Sequence, residues 1–185
     1  MKAIAIVSML VLVLVSAGYA QTINTYNVTG RSADELIESM RSSSPQGFWA
    51  HTRNRWKYNY KYYHVDGRYE LGEVSVTRTV EITMPQWTDY SYASACQQQS
   101  WDAMYSSLRR HEDIHVAIAD PVSAELKRAI EAVGPKSSAT ELESAIDEAA
   151  NRVLEENKRA QASFDLDTNH GKSDPNDPVV LKACS

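Results

Sequence analysis

Alternation of apolar and polar positions dominates the first half of the chain, and a three-to-four-residue repeat dominates the second. Trp56, Tyr58, Tyr60 and Tyr62 alternate with Lys57, Asn59 and Lys61. After Asp66-Gly67, a dipeptide favoured in tight hairpin turns, a second run begins at Arg68. In it Val74, Val76, Val80, Ile82 and Met84 take one face, while Glu73, Ser75, Thr77, Thr79, Glu81 and Thr83 take the other. A period of two is what a strand with one buried face requires. Arg78 interrupts the apolar side, so it is expected near an edge or beside a partner. Pro85 is the expected end of that strand, since proline cannot donate to a ladder. The aromatic stripe reads as a core or sheet-packing face. Upstream, Thr22 to Gly30 reads as a first strand. Ser32-x-x-Glu35 has the form of a capping box and opens a short helix with Leu36, Ile37 and Met40 on one side. Ser42 to Gly47 is a loop.

From Ser94 to Ala119 the residues Trp101, Met104, Tyr105, Leu108, His111, His115 and Ile118 recur at helical spacing. Asp120-Pro121 reads as an N-cap followed by proline at the first helical position. It starts a second helix through Ala124, Leu126, Ile130 and Val133, stopped by Gly134-Pro135. A third helix, opened by Ser138-x-x-Glu141, carries Leu142, Ile146, Ala149, Val153 and Leu154 and is expected to fray near Gln161 to Ser163. A polar loop from Phe164 to Gly171 and a Pro/Asp-rich tail complete the chain. Strands first and helices afterwards predict an α+β domain, a small antiparallel sheet packed against the helical segment.

The N-terminus changes where the folded part is expected to start. Met1-Lys2, the apolar run Ala3 to Val15, and small residues at Gly18 and Ala20 read as a secretory signal peptide cut after Ala20. The run is short for a bilayer span of about 20 residues. Residues 21–185 are then expected to form a single domain, secreted or periplasmic and without stable membrane insertion. Without Lys2, 18 basic residues face 24 acidic ones. That balance, with no basic tract, argues against nucleic acid as a partner. In an oxidising compartment Cys96 and Cys184 are expected to pair. Closing 87 intervening residues would stabilise by about 4 kcal/mol in the chain-entropy model. Cys96 is poorly placed as a metal ligand, because 15 residues of helix set it roughly 22 Å from His111.

The candidate chemistry lies in the first long helix. His111-Glu112-Asp113-Ile114-His115 is a His-Glu-x-x-His motif. Histidines four apart stack on one helix face and can grip one metal ion, with Glu112 beside them to act on water. This is the arrangement of a zinc peptidase. Catalytic zinc takes three protein ligands and one open position. His170, in a polar loop before Gly171, is the expected third ligand, with Asp167 and Asp165 as substitutes. His51 and His64 are expected at the surface. Tyr105, Tyr90 and Tyr92 are weak candidates for stabilising an oxyanion.

Met84-Pro85-x-Trp87, Trp101, the His111-Glu112-x-x-His115 helix and Phe164-Asp165-x-x-Thr168-x-His170-Gly171 together resemble the domain of unknown function 922 family. The resemblance covers nearly all of the chain after the signal peptide. It implies a zincin-like fold, Zn2+ held by His111, His115 and His170, and Glu112 as catalytic base of a secreted protease acting on peptide or protein substrates. The family pattern has tyrosine where this chain has Phe164. The strand Arg68 to Met84 is the expected cradle for an extended substrate. The competing expectation is a non-catalytic zinc protein of the same compartment, in which the metal fixes the fold or a partner binds the aromatic sheet.

Overall fold

The computed structural model describes residues 19–45 and 47–184. The signal-peptide reading therefore lies outside the described residues, except for Tyr19 and Ala20. These two open the first strand, β1 (Tyr19–Val28). A cut after Ala20 would remove them.

The fold is α+β, with helix α1 (Ala33–Ser43), the long hairpin β2 (His51–Val65) and β3 (Arg68–Trp87), then α2 (Ala95–Ile118), α3 (Val122–Glu131) and α4 (Ala139–Thr168). The sheet order is β1-β3-β2. Asp66 and Gly67 both take positive φ, 49° and 77°, as the turn between β2 and β3 requires. β2 is antiparallel to β3 as expected, but β1 runs parallel to it, so the sheet is mixed rather than antiparallel. The apolar pattern of β1 is the same for either direction; the α1 crossover decides. β3 is central, with partners on both sides. It does not stop at Pro85 but continues to Trp87. The β2 ladder ends at Thr83, so beyond it β3 has one neighbour, and a missing N–H there is tolerated.

Two apolar clusters lie along the sheet. One joins Val28, Leu36, Met40, Ile82, Met84, Trp87, Trp101, Met104 and Leu108 to Val179 and Leu181 of the tail. The other packs Val74 against Leu126, Ile130, Leu142 and Ile146 of α3 and α4, with Trp56, Tyr58 and Tyr60 at its margin. The aromatic stripe is thus a packing face. Its hydroxyls reach α4, where Tyr58 donates to Asp147 Oδ1 at 2.9 Å and Tyr62 to Glu143 Oε1 at 3.2 Å.

Arg78 is buried in the central strand and has its partners there. It donates to Asn54 Oδ1, to the Val116 carbonyl at 2.8 Å and to Asp120 Oδ1 at 2.8 Å, with the Tyr19 ring 4.5 Å from its guanidinium carbon. Asp120 is therefore not the N-cap expected from Asp-Pro. Pro121 precedes α3 without a side-chain cap, and the Asp120 carboxylate serves Arg78 instead.

The start of α2 follows its sequence closely. Ser94 accepts from Gln97 N, and Gln97 returns the bond to Ser94 N at 2.9 Å, a reciprocal capping box. Cys96 and Cys184 are joined, with Cα atoms 6.1 Å apart, which straps the tail to this end of α2. Ser100 Oγ adds bonds to the carbonyl and N–H of Lys182, both 2.8 Å. Among the described residues, no helix is long and apolar enough to cross a membrane.

Candidate metal centre

The i, i+4 spacing of His111 and His115 on α2 brings their Nε2 atoms to 3.2 Å, both rings buried. The third group comes from the end of α4. That helix does not fray near Gln161 to Ser163; it runs on to Thr168, so Asp165 stands on its last turn rather than in a loop. Asp165 Oδ1 lies 3.2 Å from His111 Nε2 and 3.0 Å from His115 Nε2. Among the described residues, these three groups come together as a set that could hold a metal ion. Donors about 2.0–2.1 Å from a tetrahedral ion stand roughly 3.3 Å apart, so the edges of this triangle suit one small cation. Two imidazoles and a carboxylate are a donor set that zinc takes in catalytic sites.

His170 lies beside this set. Its Nδ1 is 3.3 Å from Asp165 Oδ1, but 48 % of its side chain is exposed and its ring centroid sits 4.8 Å from that of Phe48. Asp167 points elsewhere: two residues on in a helix is the opposite face, and its carboxylate accepts from Ser163 on the exposed side of α4. Tyr90 donates to Asp102, Tyr105 packs near Trp101, and Tyr92 is 87 % exposed; none of the three lines the cleft over the centre.

Several supports were not foreseen from the sequence. Gln161 Oε1 can only accept, so His115 Nδ1, at 2.5 Å, carries the proton. That leaves the Nε2 lone pair facing the cluster. The same glutamine donates to the main-chain carbonyl of His115 at 3.0 Å, tying α4 to α2. Phe164 stacks on His111 with centroids 4.7 Å apart and meets His115 edge-on. Three consecutive residues, Asn169, His170 and Gly171, have positive φ. Gly171 is required there: a Cβ would lie 2.8 Å from Val179 Cγ2 and 3.3 Å from His111 Nδ1. Thr168 holds the bend, donating to the Phe164 carbonyl at 2.8 Å and accepting from Gly171 N at 3.2 Å.

Glu112 is 3 % exposed, and its Oε2 has no hydrogen-bond partner among the described residues. Burial pushes its carboxyl above the usual range, against a smaller opposing pull from the Thr52 hydroxyl. Burial also lowers His111, with the charge of His115 acting in the same direction, which favours the neutral, metal-ligating imidazole. The centre opens into a cleft of about 990 Å³ between the start of β2, α2 and α4. His51 lines it, half-buried rather than at the surface, its pKa lowered first by burial and then by Arg53.

A family model described as a bacterial protein of unknown function (DUF922) matches residues 23–171, a span that holds the whole centre. The chain belongs to that family. No curated protein and no solved structure is a match for this DUF922 member. The matched span ends at Gly171, the residue whose missing side chain leaves room for His111.

Proposed function

We propose that this DUF922 member is a zinc-dependent peptidase with a zincin-like site, working outside the cytoplasm. The observation that carries the reading is Glu112, whose buried Oε2 has no partner among the described residues and stands beside a compact set of two histidines and an aspartate, under an open cleft. His111, His115 and Asp165 would hold the ion. When bound, zinc would acidify water and polarise a carbonyl. A carboxyl raised by burial is matched to take a proton from water on Oε2 and to pass it to a leaving amine. The strand fit to hold an extended peptide is β2, not the central β3, because among the described strands β2 is the edge strand that lines the cleft. The paired Cys96 and Cys184 and the apolar N-terminus support an oxidising compartment.

Glu112→Gln should keep its zinc and lose at least about a hundredfold in peptide turnover, the usual scale of a general base. A zinc-loaded Glu112→Gln that cleaves peptides like the wild type would remove Glu112 from this role. The second reading, a non-catalytic zinc protein, is favoured by one observation: His170 Nδ1 is 3.3 Å from Asp165 Oδ1. A fourth protein donor would close the site. Zinc stoichiometry by mass spectrometry, wild type beside His170→Ala, separates the two. Zinc kept in the variant supports the open site of His111, His115 and Asp165; zinc lost in both His170→Ala and Asp165→Ala supports the closed, four-donor one.

A further inference from the structure

Positive charge gathers around the cleft of an otherwise acidic chain. The chain carries a formal net charge of −5, yet Arg41 of α1, Arg53 and Arg55 of β2, Lys158 of α4 and Lys172 beyond it all line this one cavity. The acidic lining residues are Glu112, Asp165 and Glu155. The first two belong to the centre, which leaves Glu155 as the acidic residue of the rim. Three of the cations already have carboxylates: Arg41 pairs with Glu38, Arg55 with Glu81 at 3.0 Å, and Lys158 with Glu155 at 3.6 Å.

Arg53 and Lys172 do not. Opposite Arg53 on β3 stands Glu81, but Arg55 takes that carboxylate. Among the described residues, Arg53 has no carboxylate within ion-pair distance, and its side chain stands exposed on the edge strand. Lys172 is exposed as well, and its Nζ lies 5.7 Å from the centre of the Trp49 ring, an attraction that holds the ammonium at the rim. The lining also has an apolar part, with Phe48, Trp49, Trp56 and Leu154.

We infer that this cleft selects polypeptides carrying acidic side chains beside the bond to be cut, read by Arg53 and Lys172; this rests on the peptidase reading. A peptide paired with the free edge of β2 sets one residue directly opposite Arg53, with Cβ atoms about 4.5–5.5 Å apart, and opposite charges at such positions attract. A second acidic side chain further along the peptide meets Lys172, and apolar residues between them fill the aromatic lining. Nucleic acid, the other polyanion, is disfavoured by the net negative charge of the rest of the molecule.

The test is binding, read separately from cleavage. Two dye-labelled peptides share an apolar centre and carry either glutamate or glutamine flanks. Each is titrated by fluorescence anisotropy with zinc-loaded Glu112→Gln protein. The glutamate peptide should bind about tenfold tighter at low salt, and the gap should shrink at high salt, where exposed charges are screened. Adding Arg53→Gln and Lys172→Gln should bring the two affinities within about twofold. Thermal melting should be unchanged, since both side chains are exposed. Equal affinities in the starting protein would overturn the inference, and so would a glutamate preference that survives both substitutions. Glutamate-selective binding with no cleavage by the wild type would remove the peptidase reading and leave the charge selectivity. Cleavage of both peptides after equal binding would do the reverse.

Discussion

The two walls of the centre arise in different ways. On the α2 wall, His111, Glu112 and His115 sit within a single helical turn and a half, so the geometry of one helix brings them together. Their helix is fixed at its start by the Ser94–Gln97 box and by the bridge to Cys184. On the α4 wall, Asp165 and Gln161 reach the same point from 50 and 46 residues further on. They arrive only because a 30-residue helix keeps its register over its full length. One wall is local and the other is tertiary, so they should respond differently to substitution.

The sharpest test of that contrast is Asp165 against Asp167. Asp165→Ala removes a donor from the cluster and should weaken zinc binding by more than about a hundredfold, beyond the usual effect of an outer-sphere partner. Asp167→Ala, on the exposed face, should leave affinity within about twofold. Competition with a fluorescent chelator measures both. Equal losses in the two variants would mean that α4 does not hold this register at its end.

Gln161 tests the same wall one step back. Gln161→Leu keeps the size but removes the acceptor for His115 Nδ1 and the tie to the His115 carbonyl. Zinc affinity should fall about 10- to 100-fold, the range for partners that orient a ligand. Gln161→Glu, which still accepts from Nδ1, should recover most of it. A Gln161→Leu protein with wild-type affinity would show that the α2 wall orients His115 unaided.

The same division explains what could be read from the sequence. Period-two alternation, the Asp66-Gly67 turn, the motif helix and its buried stripe are set by neighbours in the chain, and each is found where its residues predict. The misreadings all concern partners far away. Gln161 and Ser163 look like the frayed end of a helix, yet α4 continues because Gln161 is bonded to α2. Asp120 before Pro121 looks like a cap, but a buried guanidinium competes for the carboxylate and takes it. Alternation along Arg68 to Met84 reveals a half-buried strand and cannot say that it is the central one; of the two edge strands, β2 is the one that lines the cleft. His51 carries no local signal for a place in the cleft. It is brought there by the sheet, as Thr52 donates to the Glu112 carbonyl at 3.3 Å.

The tail joins the two walls, and the smallest expected effect concerns how it does so. After the bend at Gly171 the chain returns to α2, where Asp177 accepts from Ser107 Oγ at 2.6 Å and pairs with Arg110. Val179 N then bonds the Gly171 carbonyl at 3.0 Å. The Arg110 guanidinium holds the Asp177 carboxyl below the usual carboxylate range, with the Ser107 hydroxyl helping. A depressed folded value means that the unfolded chain takes up the proton first. The stabilisation is therefore complete above the unfolded value of about 3.9 and is lost as pH falls through the lower folded one. Arg110 is largely exposed, so solvent screening keeps the contribution small. Asp177→Asn should melt slightly below the wild type at pH 7, and the gap should close under acid, as pH falls through the depressed Asp177 value. A gap that persists undiminished there would mean that the tail docks through shape alone, with Val179 against Gly171, and that charge plays no part in bringing the end of α4 to His111.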